Sequence, residues 1–295
     1  MARAAPGWRA WLQLARVSNT PTVVSNAVAG AVVASAAAPA GTVAVVAVAM
    51  ALFYTAGMIL NDVADLELDR RERPERPLPS GAVSQTAALV AFCALTGAGL
   101  AILAATGVAP LLAGIGLVAL IVLYDLWHKG NVLSPVLMAG CRALVYVIAA
   151  LAVADSLTAE LWGAAALLLV YVIGLTQVAK AERSGDERAA RGRSAGIAAR
   201  WPVLAVLAPA AYWARELPAL EVALLLAAFL AWAGFALWLV LGRRQIGAGV
   251  VRLIAGIAVY DALVVAAAGG SAVALAVCLA AFAATVALQT KIAGT

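Results

Sequence analysis

The sequence predicts an all-α membrane protein, a polytopic bundle of about nine or ten transmembrane helices around a central cavity. Three observations carry that expectation. Of 295 residues, 65% are hydrophobic and only 12% charged, about half the charged fraction of a soluble domain. Mean hydropathy is +1.00. The apolar residues also fall into runs of roughly 20, the length that crosses a bilayer core, and the charges gather in the loops between them. Residues 1–295 read as one transmembrane domain.

The runs lie at about 19–38, 43–60, 84–105, 108–126, 132–153, 160–181, 199–214, 218–241, 248–267 and 271–290, judged against the span length of roughly 20 residues. The first follows Arg3, Arg9 and Arg16, is interrupted by Ser18, Asn19 and Pro21, and leads into a full span rather than a cleavable signal peptide. The seventh is short and contains Pro209, and the ninth carries Arg252 and Asp261. A tilted or interfacial seventh or ninth run makes nine spans as acceptable as ten. Basic residues cluster before the first run and after runs two (Arg70, Arg71, Arg73, Arg76), four (Lys129), six (Arg183, Arg188, Arg191, Arg193, Arg200) and eight (Arg243, Arg244). The intervening loops are nearly free of them: 37–42 and 106–108 have none, 155–160 is acidic, and Arg215 beside Glu216 is the exception. Positive charge marks the cytoplasmic side, so the polar loops are expected to face the cytoplasm from the cell membrane. The net charge of +5 then reports orientation, and nucleic acid is not an expected partner.

Cys93, Cys141 and Cys278 sit inside apolar runs and read as packing residues. The single histidine, His128, excludes a histidine-built metal site, so a metal here needs hard oxygen ligands, as Mg²⁺ does.

The second run ends in Asn61-Asp-Val-Ala-Asp-Leu-Glu-Leu-Asp69. Spacings of three and four place Asp62, Asp65 and Asp69 on one helical face, where their charges repel unless a cation or donor neutralises them. Glu67 falls off that face. Arg70 to Gly81 follows, rich in arginine and holding Pro74, Pro77 and Pro79. The prolines cannot continue a helix, and guanidinium groups match phosphate oxygens with planar paired donors. Carboxylates on a helix end beside arginines on a stiff loop suit a Mg²⁺–diphosphate.

Asn61, Asp62, Asp65, Asp69, Arg73 and the stretch from Arg76 through Pro77-Leu-Pro-Ser-Gly81 resemble the first signature of the UbiA superfamily of intramembrane prenyltransferases. The number of spans and the position of the motif after span two agree with that family. The resemblance implies one UbiA-like domain with a prenyl diphosphate and a small acceptor as its partners in the bilayer. It places Mg²⁺ on Asp62, Asp65 and Asp69, and the phosphates on Arg73 and Arg76, with Asn61 in the same site. The isoprenyl group would pass to an aromatic or polyol-like acceptor and diphosphate would leave.

The family's second aspartate motif, after span six, is altered. Where its first aspartate is expected stands Ala181, and Lys180, Glu182 and Asp186 are the residues available for the chemistry. Glu182 and Asp186, four apart, would share a face and hold a second Mg²⁺. The segments 16–21 and 134–144 look similar to a divergent bacterial secondary-metabolism branch. The altered motif leaves a second reading open, a non-catalytic component that binds or transports a prenyl-diphosphate lipid. The CDP-alcohol phosphatidyltransferases, which also use intramembrane aspartates, are disfavoured because Leu66 follows Asp65 and no second aspartate pair follows closely.

Polar groups at lipid depth face the interior. Arg16 and Asn19 open span one, near a basic or amide residue that the family carries at its substrate pocket; Arg16 as a snorkelling interface residue is an equal alternative. Asn26 is either a pocket or a helix-packing residue. Tyr124 and Lys129 close span four where the family shows a Tyr and a Lys, with His128 as a turn residue beside them. Arg142 lies well inside span five and requires an anion, either the diphosphate, Asp125 or an acidic substrate. Tyr54 and Tyr171 are candidates for the cavity wall, where an aromatic face attracts a carbocation.

Overall fold

The computed structural model describes residues 7–128, 131–183, 205, 207–209 and 219–292. Lys129, Asp186 and most of run 199–214 lie outside the described residues, as do the side chains of Lys180 and Glu182. The backbone of both is helical at the end of α8.

The described helices are α1 (Gly7–Leu14), α2 (Pro21–Ala34), α3 (Ala40–Ala64), α4 (Leu66–Glu72), α5 (Gln85–Thr106), α6 (Val108–Trp127), α7 (Ser134–Leu151), α8 (Ala159–Arg183), α9 (Leu220–Leu241), α10 (Ile246–Ala267) and α11 (Ala272–Gln289). Eight of them, α3 and α5 to α11, are long and apolar enough to cross a membrane. The protein is an integral membrane protein. Serine side chains start two spans: Ser84 accepts from the Ala87 N–H and Ser271 from the Ala274 N–H, each satisfying an orphan donor of the first turn.

The first expected span is shorter than the sequence suggested. Residues 19–38 yield the 14-residue α2, begun by Pro21 and ended at an extended Ser35. At 1.5 Å per residue it reaches about 21 Å, less than a bilayer core of roughly 30 Å. Its position explains how a short, polar helix is tolerated. α2 packs against α3, α7, α8, α10 and α11, and one core joins it to α7 to α11 while another joins it to α3, α5, α6 and α7. Lipid therefore meets little of it, and Thr22, Ser25 and Asn26 are fully enclosed. Gly30 permits its closest approach: a Cβ there would fall 2.6 Å from the backbone Cα and O of Tyr146 on α7. Small residues allow such contacts between membrane helices.

The ninth run, which Arg252 and Asp261 left open to a tilted or partly interfacial placement, is the most enclosed of the long described helices, α10. Its carboxylate faces protein partners rather than an interface.

Candidate active site

α3 ends at Ala64, and Asp65, at φ −90° and ψ 0°, is a break before α4. Helical hydrogen bonding nevertheless continues across it: the N–H groups of Asp65, Asp69 and Arg73 donate to the carbonyls of Asn61, Asp65 and Asp69. Arg76 reaches both Asp62 and Asp69, while Asp65 faces His128. The three aspartates are buried, at 5%, 3% and 4% exposure, so they do not splay into bulk water. Each has a cationic neighbour. Arg16 Nη2 donates to Asp62 Oδ1 at 3.0 Å, Arg76 Nη1 to Asp69 Oδ2 at 2.7 Å with Asp62 3.7 Å away, and His128 Nε2 lies 3.3 Å from Asp65 Oδ1. Glu67 is exposed and pairs with Arg70.

Local chain geometry fixes these cations. Arg16 adopts a left-handed backbone at φ 44°, a conformation that side chains other than glycine seldom take, in the turn between α1 and the 3₁₀ turn Val17–Asn19. The loop after α4 folds on itself through Ser80 N–H to Arg76 O and Val83 N–H to Pro77 O. Leu78 and Val83 bury against α1, α3 and α4, and Gly81 closes the turn at φ 75°, where glycine meets no steric cost. His128 donates through Nδ1 toward the carbonyls of Tyr124 and Asp125 at 3.2 and 3.1 Å. The hydrogen bond to Asp65 raises the His128 pKa above its ordinary value, against the opposing effect of burial, so the Asp65–His128 contact is an ion pair across more of the neutral range.

Two chambers meet here. The larger, about 330 Å³, runs into the bundle and is lined by Arg16, Asn19, Asn61, Arg73, Tyr124, Asp125, His128 and Arg142 at its polar parts, and by Met50, Phe53, Val145, Val172, Leu175 and Ile257 at its apolar parts. Tyr54 also lines it, whereas Tyr171 is buried in the core with its hydroxyl donating to Leu253 O. The smaller chamber, about 270 Å³, is lined by Gln13, Arg16, Asp62, Arg73, Glu75, Arg76 and Pro77. Arg16 and Arg73 belong to both. Asp65 and Asp69 line neither chamber, and Arg76 is seated on carboxylates rather than open as a phosphate ligand.

Three partners were not legible in the sequence. Asp125 accepts from Asn61 Nδ2 at 3.1 Å, and its Oδ2 is buried without a hydrogen-bond partner. His128 joins the aspartates instead of serving as a turn residue. Asp261 is enclosed and accepts from Ser25 Oγ, from Asn26 Nδ2 at 2.9 Å and from Tyr146 OH at 2.6 Å. The available signal was a carboxylate in mid-span, which by default marks a site. Arg142 does not pair with Asp125; its guanidinium donates to Asn26 Oδ1 at 2.8 Å and Thr22 Oγ1 at 3.0 Å. Asn19 accepts from Gln289 Nε2 at 3.0 Å.

The carboxylates at the mouth supply hard oxygen donors, and Asp125 Oδ2 is an unused acceptor beside them, so these residues suit a Mg²⁺ ion. No group of three His, Cys, Asp or Glu side chains among the described residues forms a ready cage. Mg²⁺ ordinarily takes one or two carboxylates and completes its shell with water and substrate phosphate, so a cage is not required.

Comparison with known proteins agrees with the architecture. The UbiA prenyltransferase family matches residues 23–263. Two archaeal relatives, the digeranylgeranylglyceryl phosphate synthases of Sulfolobus acidocaldarius and Methanoregula boonei, are 32% identical over 117 residues and 37% identical over 120. Each match covers 40% of this chain and 42% of the relative's length. Among solved structures, one described as a digeranylgeranylglyceryl phosphate synthase aligns with a TM-score of 0.63 at 18% identity, over 89% of this chain and 98% of its own. A UbiA homologue from Archaeoglobus fulgidus bound to GPP and Mg²⁺ aligns with a TM-score of 0.59 at 15% identity, over 90% and 99%.

Proposed function

The chain belongs to the UbiA prenyltransferase family, and from that premise we propose that it transfers an isoprenyl group from a prenyl diphosphate to a small acceptor inside the membrane. The observation that carries the reading is that two chambers share Arg16 and Arg73, one carboxylate- and arginine-lined, the other with an apolar wall running into the bundle. A diphosphate with a greasy tail has that same division.

Asp62, Asp65 and Asp69 would hold Mg²⁺, with Asn61 beside them. A bound divalent ion would neutralise charge on the diphosphate and improve it as a leaving group. Arg16 and Arg73 hold the phosphate oxygens, Arg76 keeps Asp62 and Asp69 in place, and the wall of Met50, Phe53, Val145 and Val172 receives the tail and excludes water. The C–O bond breaks with its electron pair on the diphosphate, the acceptor nucleophile bonds to the released carbon, and the acceptor loses a proton. The face of Tyr124, which lines the chamber at the mouth, favours the cationic carbon. By the family resemblance, Lys180, Tyr124 and Lys129 would complete the phosphate side, and Glu182 and Asp186 would hold a second ion. The mouth faces the cytoplasm, in line with the basic loops.

The archaeal relatives favour a glyceryl phosphate carrying one prenyl chain as acceptor, and an oxygen nucleophile. The test is incubation of the purified chain with Mg²⁺, geranylgeranyl diphosphate and acceptor, measuring ether product and released diphosphate. Product formation supports the proposal. Tight binding of the diphosphate with no release under any acceptor would favour a non-catalytic lipid-diphosphate carrier instead.

A further inference from the structure

The larger chamber contains a second cationic centre that the diphosphate does not require. Arg142, on α7, stands over the ring of Tyr54 with its guanidinium carbon 5.6 Å from the centroid. Tyr54 precedes Asn61 on α3 by two helical turns, so this centre lies about 10 Å deeper than the mouth at 1.5 Å per residue. The two centres differ in their counter-charges. Arg16 and Arg76 each contact an aspartate, whereas no carboxylate among the described residues lies within 4.0 Å of Arg142. Its negative partner is held one residue away. Asp261 takes both its oxygens' bonds from Ser25, Asn26 and Tyr146, and Asn26 in turn offers its Oδ1 to Arg142.

This relay orients the guanidinium, and Asp261 attracts it across Asn26 rather than by direct contact. With Nδ2 bound to Asp261, the Asn26 amide has only its oxygen to offer the guanidinium, which fixes the side chain's direction. A guanidinium has five N–H donors. Thr22 and Asn26 engage one each, leaving the remainder for the chamber that Arg142 lines. A cation held this way at lipid depth is costly unless it meets an anion.

We infer that Arg142 docks the anionic group of the acceptor, a phosphate or a carboxylate, at a station separate from the diphosphate. Asn26 and Asp261 are positioning residues for it. The inference rests on the prenyl-transfer reading, and it narrows the acceptor to acids. Planar forked recognition of such oxygens is what arginine provides and lysine does not.

The test uses the full chain in detergent, with two acceptor pairs that differ only in charge. One pair is geranylgeranylglyceryl phosphate and geranylgeranylglycerol; the other is 4-hydroxybenzoate and 4-hydroxybenzyl alcohol. Dissociation constants are measured without diphosphate, and transfer kinetics with geranylgeranyl diphosphate and Mg²⁺. The expected result is a preference of about 100-fold for the acid of at least one pair, in line with a charge-assisted bidentate contact; the pair that shows it identifies phosphate or carboxylate. Arg142→Gln should reduce the preference to a few-fold by raising the acceptor KM, Arg142→Lys should restore part of it, and geranylgeranyl diphosphate affinity should change less than threefold. Thr22→Val, which keeps the charge and removes one hydrogen bond, should give a smaller loss of the same kind. Equal affinity for acid and alcohol in both pairs overturns the inference. So does a loss of diphosphate affinity in Arg142→Gln as large as the loss of acceptor affinity. Failure of the wild type to transfer any acceptor sinks the prenyl-transfer reading but not the docking claim, which the dissociation constants decide alone.

Discussion

The mouth of the bundle and its mid-depth use the same residue types in opposite ways. At the mouth, carboxylates and cations touch directly: Arg16 with Asp62, Arg76 with Asp69, His128 with Asp65. At mid-depth, Asp261 and Arg142 are kept apart by Asn26. Direct pairs on a short helix and a loop can be exchanged for a divalent ion and a phosphate, because the ligand supplies the charges that the pairs give up. A carboxylate enclosed by three donor residues on two helices packed against its own has no such freedom, and it holds its neighbour in one orientation. The contrast is between a site rearranged by its ligand and a site set before the ligand arrives.

Substitutions can break or sharpen that contrast. The largest effect is expected at the mouth: Asp62→Ala and Asp65→Ala should each lower turnover about 10³-fold, the scale of losing one preorganised electrostatic contact, and should do so without loss of the folded fraction by size-exclusion chromatography. Next is the packing that assembles the deeper station. Gly30→Ala forces a methyl into the Tyr146 backbone and should cost about 1–3 kcal/mol, read as a lower midpoint of thermal unfolding. Asp261→Asn leaves the volume unchanged and frees the Asn26 amide to turn. It should raise the acceptor KM about tenfold, the scale of one or two net hydrogen bonds, with kcat nearly unchanged; a fall in kcat alone would make Asp261 a reaction-centre residue. The smallest effect is at Glu67, exposed and paired with Arg70. Glu67→Gln should change turnover by less than about twofold, since exposed pairs contribute little.

The apolar runs located the long helices because a period of lipid-crossing length leaves few alternatives; Asp62, Asp65 and Asp69 stand out by their spacing of three and four, and all three are buried beside cations. α2 was misjudged in length because a helix largely surrounded by protein needs neither a full span nor an apolar face. Arg142 was recognised as needing an anion, but its partner was not. Asp261 lies over a hundred positions away, and only the packing of α2 against α7 and α10 brings Asn26 between them. Asp125 and His128 were weighed as a helix end and a turn, and only the closure of α6 over α3 makes them neighbours of the motif.

The most direct measurement is calorimetric binding of geranylgeranyl diphosphate to the purified chain, with Mg²⁺ and with EDTA, for the wild type and for Asp62→Asn/Asp65→Asn. The account predicts saturable binding that requires Mg²⁺ in the wild type and is lost in the double variant. Binding of equal strength in EDTA, or in the double variant with Mg²⁺ present, would contradict it.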